Sequence, residues 1–150
     1  MKKLFRNWNF ELLFQMFLPL LGGFLISLLV RSMGSLTTSS TYLNIPPLIF
    51  SIVWAILYLL MGYSAYRIEF ESGEKNIRLY YVSLIFNFLW LPLFFLLNSP
   101  IIALIDLLIL LFLIVFNFKK YYKIDRTSAY LLLPYIIWLL FAVTLNISAI

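Results

Sequence analysis

The sequence predicts an all-α membrane protein, a bundle of five transmembrane helices. Three observations lead there. Hydrophobic residues make up 64% of the 150 residues and charged residues 11%, where soluble domains carry about 45–50% and about 25%. So few charges cannot cover a water-facing surface, so most of the surface must meet lipid. The apolar residues come in runs of about 20, the length that crosses a bilayer. The basic residues sit between those runs and almost all on one side, as membrane topology requires.

The first helix is expected over residues 10–30. Lys2, Lys3 and Arg6 precede it in the manner of a secretory signal. The apolar run is too long for one, and Arg31-Ser32-Met33 follows where a small-residue cleavage site would stand, so the helix is read as retained. Pro19 and the pair Gly22-Gly23 inside it suit close packing or a bend. A hydroxyl-rich stretch, Ser32 to Thr41, is the longest loop.

The second helix is expected over residues 46–68, opened by Pro46-Pro47, because proline suits a first turn whose N–H has no partner. Glu69 to Asn76 form a charged turn. The third helix is expected over 78–97. Asn98-Ser99-Pro100 reverses the chain, with Ser99 as N-cap and Pro100 at the first helical position. The fourth helix covers 100–118, and the basic stretch Lys119 to Arg126 forms the next loop. The fifth covers 127–149, with Pro134 in its opening turns. The whole is one integral membrane domain, residues 1–150. The runs are too continuously apolar for barrel strands, which alternate.

Ten of the eleven Lys and Arg residues fall on the N-terminal side: Lys2, Lys3 and Arg6, then Arg67, Lys75 and Arg78, then Lys119, Lys120, Lys123 and Arg126. Arg31 alone falls opposite. The expected orientation has the N-terminus cytoplasmic and the C-terminus outside. The net charge of +5 is thus a topological signal, and the expected partner is the lipid bilayer, with no nucleic acid. The chain has no cysteine and no histidine. That excludes disulfides, thiolate and zinc centres, and Ser-His or Cys-His catalysis. No metal and no catalytic residues are expected.

Helical spacing sorts side chains into faces. Trp54, Tyr58, Met61 and Ala65 share a stripe on the second helix. Tyr80, Ser83, Asn87, Trp90 and Phe94 share one on the third. Tyr135, Trp138, Ala142 and Leu145 share one on the fifth, with Asn146 adjacent. Lipid needs none of these polar and small groups, and amides at mid-depth usually face a bundle interior. One reading is an aromatic pocket between helices 2, 3 and 5 that binds a flat apolar ligand. The other is anchoring of Trp and Tyr at the membrane surfaces. Asp106 is the only acid in the interior of an expected span. It is either a structural hydrogen-bonding group or a functional acid.

These residues carry a resemblance. Pro46-Pro47, Trp54, Tyr58 and Gly62; Asn87, Trp90, Phe94 and Phe95; Ala103, Asp106, Leu107 and Leu108; and Pro134, Tyr135, Trp138, Phe141, Ala142, Leu145 and Asn146 follow in order over two thirds of the chain. The set is similar to the motifs of the TspO/MBR (translocator, tryptophan-rich sensory protein) family. The resemblance implies a five-helix bundle with a pocket open toward the first loop, binding porphyrins and sterol-like or drug-like aromatic molecules, often as a homodimer. It implies that Trp54, Asn87, Trp90, Tyr135, Trp138 and Ala142 line or border the pocket. No cofactor is required; a porphyrin or haem-like group would be a ligand. Some members are credited with light-dependent porphyrin breakdown, and Trp54 and Trp138 match the tryptophans implicated.

Here the family's Lys-Pro…Trp segment before the proline pair is replaced by Thr41-Tyr42-Leu43-Asn44-Ile45. A lid without its cation should hold a porphyrin carboxylate less well. The expected function is a membrane-embedded binding protein or sensor for tetrapyrrole or sterol-like ligands. The alternatives are a light-dependent porphyrin-degrading enzyme and a transporter of small amphipathic molecules. Five helices with no internal repeat argue against self-contained alternating access. No transit peptide is visible, so a prokaryotic plasma membrane is expected.

Overall fold

The computed structural model describes residues 8–33 and 47–150. Lys2, Lys3, Arg6, most of the Ser/Thr loop, Thr41 to Ile45 and Pro46 lie outside the described residues. Helix α1 covers Trp8–Ser32 and α2 Pro47–Ser72; a 3-10 turn, Glu74–Ile77, leads into α3, Arg78–Phe95. Helix α4 covers Pro100–Ile124, α5 Arg126–Leu131 and α6 Leu133–Ser148. Among the described residues, five helical segments are long and apolar enough to cross a membrane, the fifth being α5 and α6 together.

The element ends differ from expectation in four places, each for a local reason. Helix α2 continues through Glu69 to Ser72, where a turn was expected. Glu69 is buried rather than exposed and takes a hydrogen bond from Gln15 Nε2 at 3.0 Å, which holds the extra turn. Gly73 then ends it at φ +89°, a conformation glycine adopts without strain. Asp106 is therefore not the only acid inside a span.

Helix α3 stops at Phe95, short of residue 97. The N–H groups of Leu96 and Leu97 both donate to Pro92 O, tightening the last turn, and Asn98 takes φ +47°, which asparagine tolerates. Ser99 holds the N-cap position of α4, but its side chain makes no capping bond.

The stretch Lys119 to Ile124 is helix, not loop. Lys119 and Lys123 point outward near a helix C-terminus, where cations are favoured, and Tyr121 is buried beneath them. The reversal needs only Asp125, in an extended conformation. Its Oδ2 accepts from Ser128 N at 3.2 Å and Ser128 Oγ at 2.5 Å and from Arg67 Nε at 2.8 Å. That capping pattern starts α5.

The fifth span is interrupted at Leu132. Pro134 has no N–H and cannot extend a ladder from α5, so it sits in the first turn of α6.

The helices close into a ring in the order α1, α2, α5–α6, α4, α3 and back to α1. Helix α2 meets the fifth span chiefly through α5, which leaves a groove between α2 and α6. The faces of α1 and α4 turned outward are leucine, isoleucine and phenylalanine, among them Phe17, Leu25, Ile105 and Phe112. In lipid such a surface is satisfied. Gly62 lets α1 and α2 touch: a Cβ there would stand 2.7 Å from Met16 Cα and overlap Gln15 O. Small residues at such crossings drive helix association in bilayers.

Candidate functional site

Away from the basic end, a cavity of about 200 Å³ lies between α1, α2 and α3. Trp54 and Tyr58 on α2 and Asn87 and Trp90 on α3 form two walls; Gly23 and Ile26 on α1 form the third. The polar groups are held in fixed places. Tyr58 Oη donates to Asn87 Oδ1 at 2.8 Å, and Asn87 Nδ2 donates to Tyr135 Oη. One amide thus ties α2, α3 and α6 at the centre of the ring. Trp90 Nε1 donates to Asn146 Oδ1 at 3.0 Å, and Asn146 Nδ2 donates to Pro100 O at 2.6 Å. A second amide ties α3, α6 and the start of α4.

Behind these walls the aromatic rings form a continuous stack. Phe50 lies 6.1 Å from Trp54, 6.5 Å from Trp90 and 5.9 Å from Trp138, centroid to centroid. Trp54 meets Trp138 edge to face at 6.3 Å and Tyr135 at 6.2 Å. Edge-to-face pairs at these distances satisfy the ring quadrupoles. The Nε1 atoms of Trp54 and Trp138 are buried and have no partner among the described residues. Buried indole N–H groups normally find one, and Trp54, which lines the cavity, carries one of these two donors.

Trp54, Tyr58, Asn87 and Trp90 line the cavity. Tyr135 and Trp138 stand one layer back, bonded to Asn87 and packed on Trp54. Phe94 stacks on Trp90 at 5.5 Å and Ala142 is buried on α6; neither lines the cavity. The pocket expected between helices 2, 3 and 5 is therefore closed by helix 1 instead, with the fifth span behind it. Trp138 also borders the groove between α2 and α6, with Ile137 and Phe141.

Sequence reasoning missed Phe50, Phe88 and the α1 wall. The pair Gly22-Gly23 was the available signal. A Cβ on Gly23 would stand 2.9 Å from Tyr58 Oη, so only glycine leaves room for that hydroxyl. Asp106, 5% exposed, lies on α4 outside the cavity lining, and its Oδ2 has no partner among the described residues.

Five apolar spans, three of them lining an aromatic hollow that fixed amides border, make this an integral membrane protein with a pocket between its helices. The TspO/MBR family model matches residues 15–150. The chain is 30% identical over 110 residues to the tryptophan-rich protein TspO of Chlorobaculum tepidum, covering 70% of each chain. It is 30% identical over 107 residues to a tryptophan-rich sensory protein of Cereibacter sphaeroides, covering 71% of this chain and 68% of that one. With the translocator protein of Bos taurus it shares 35% over 140 residues, 86% of this chain and 82% of that one. The chain belongs to the TspO/MBR family.

Proposed function

We propose that this chain is a membrane-embedded binding protein, of the sensor type, for a flat hydrophobic ligand of the tetrapyrrole or sterol class. The observation that supports this most is the hollow itself: aromatic walls on α2 and α3, one bonded amide at their junction, and the indole N–H of Trp54, which has no partner among the described residues. Apolar walls with a few placed polar groups are what such ligands require. The relatives' names, sensory protein and translocator, fit a receiving role.

Size sets a condition. A cavity of about 200 Å³ is below the roughly 300–1,000 Å³ of pockets that enclose drug-sized molecules. It receives part of a planar macrocycle, and a whole one requires α1 to move aside.

Titrating the purified protein in detergent with protoporphyrin IX, and with a sterol in parallel, tests the reading through tryptophan quenching. Saturable quenching that weakens at least several-fold in Trp54→Phe and in Gly23→Leu is expected. Quenching unchanged by both removes this cavity as the site.

A second reading, light-dependent oxidation of a bound porphyrin, is favoured by the Trp54–Trp138 pair at 6.3 Å. Its test is light-dependent loss of the porphyrin band with a new product; loss no faster than in a variant lacking both tryptophans counts against it. We also place the basic end in the cytoplasm of a prokaryotic plasma membrane and expect a homodimer. The chain has no cysteine, so a single one introduced at Ser148 should react with an impermeant maleimide from outside intact cells. Mass photometry reads the oligomer.

A further inference from the structure

Between the cavity and the basic end, a layer of buried polar groups remains without a role. Tyr80 on α3 and Asn117 and Tyr121 on α4 are each 1% exposed, and Gln15 on α1 is fully buried. Tyr80 Oη, Tyr121 Oη, Asn117 Oδ1 and Gln15 Oε1 have no hydrogen-bond partner among the described residues.

These atoms are not scattered. Asn117 and Tyr121 lie one turn apart on one face of α4, and α3 packs closely on α4. Tyr80 is within electrostatic range of Tyr121, Tyr81 and Tyr135, and Tyr121 is within range of Tyr81. Gln15 Nε2 donates to Tyr81 Oη at 2.6 Å and to Glu69 Oε2 at 3.0 Å. Toward the cavity, Tyr135 is bonded to Asn87 and within range of Asp106. Hydrogen bonds thus join Asn87 to Tyr135 and Gln15 to Tyr81 and Glu69, and Tyr80 and Tyr121 lie in the neighbourhood of Tyr81.

A membrane interior cannot satisfy such atoms from lipid. Buried side-chain polar atoms are mostly paired in packed proteins, and each unpaired one calls for a partner such as an ordered water. A buried water makes two to four hydrogen bonds to groups of this kind, and a chain of this length holds on the order of five such waters.

We propose that this layer is a water-binding site: a cluster of ordered waters between α1, α3 and α4, hydrogen-bonded to Tyr80 Oη, Tyr121 Oη, Asn117 Oδ1 and Gln15 Oε1. The waters join the tyrosines of α3 and α4 to the Gln15–Tyr81 and Gln15–Glu69 bonds. The cluster does not depend on which ligand the cavity receives.

Two measurements on the full chain test it. In pulsed X-ray hydroxyl-radical footprinting, internal waters generate radicals beside the side chains they touch. Tyr80 and Tyr121 should be modified at rates like that of the exposed Tyr130. Rates as low as that of the buried Phe95 overturn the proposal. In thermal denaturation, Tyr80→Phe and Tyr121→Phe should each lower Tm, and the double variant should lower it by less than the summed shifts, because both hydroxyls hold the same waters. If the layer is dry, deleting an unsatisfied hydroxyl leaves Tm unchanged or raises it, and the shifts add. That result also overturns the proposal. Footprinting of the unsubstituted protein decides the matter if a variant fails to fold.

Discussion

Replacing Asn87 by leucine isolates the contact that joins three helices at the cavity. The side chains are similar in volume, so packing is kept and polarity is lost. The substitution deletes two interhelical hydrogen bonds, Tyr58 Oη to Asn87 Oδ1 at 2.8 Å and Asn87 Nδ2 to Tyr135 Oη. In membrane proteins such bonds average about 0.6 kcal/mol each and reach about 1.7. Both tyrosines are buried, so their hydroxyls are left without water, which places the loss toward the upper part of that range. We expect a destabilisation of about 1–3 kcal/mol, which lowers the Tm of a chain this size by roughly 5 °C, at about 2–4 °C per kcal/mol. Differential scanning fluorimetry in detergent measures it. The decisive control is the triple variant Tyr58→Phe/Asn87→Leu/Tyr135→Phe. It removes every polar member, and replacing all partners together by apolar groups is close to neutral. The triple variant should recover most of the lost stability. An Asn87→Leu protein as stable as the unsubstituted one, or a triple variant still less stable than Asn87→Leu alone, refutes the reasoning.

Three further predictions follow from contacts elsewhere. Gly62→Ala forces a Cβ into the α1 backbone, which cannot rotate away as a side chain can; overpacking of this kind costs about 1–3 kcal/mol, read as a lower Tm. Gly23→Ala pushes Tyr58 off its bond to Asn87, so it should weaken ligand quenching and lower Tm together. The Arg67 guanidinium beside Asp125, together with Ser128, holds that carboxyl at about 2, below its ordinary 3.8. Its folded value is depressed, so its contribution is fully present above pH 3.8 and disappears as pH falls through about 2. The pair is partly exposed and solvent screening limits it to about 1 kcal/mol; Asp125→Asn should flatten the acid limb of a Tm-versus-pH curve.

The spans were legible because lipid imposes them. A run of about 20 apolar residues has few other uses, and Trp54, Asn87 and Trp90 stood out against it by their polarity and spacing. The ends were less legible because hydropathy stops at the first charge while the helix does not. Glu69 is charged yet helical because Gln15 supplies a partner from a distant part of the sequence, and Lys119 to Ile124 stay helical because Lys119 and Lys123 face outward over the buried Tyr121. The α1 wall was hidden for a related reason. Its contribution is the absence of a side chain at Gly23, which composition records only as a small residue. Gln15 offered a signal that went unused: an amide inside an apolar run usually faces a partner, and here it faces Tyr81 and Glu69.

The central claim is that the ligand enters the hollow between α1, α2 and α3. Photo-cross-linking with a diazirine-bearing porphyrin, followed by peptide mapping, addresses it most directly. The account predicts adducts on residues 20–27, 50–58 and 87–91. Adducts confined to Pro134, Ile137 and Phe141, in the lipid-facing groove between α2 and α6, would contradict it.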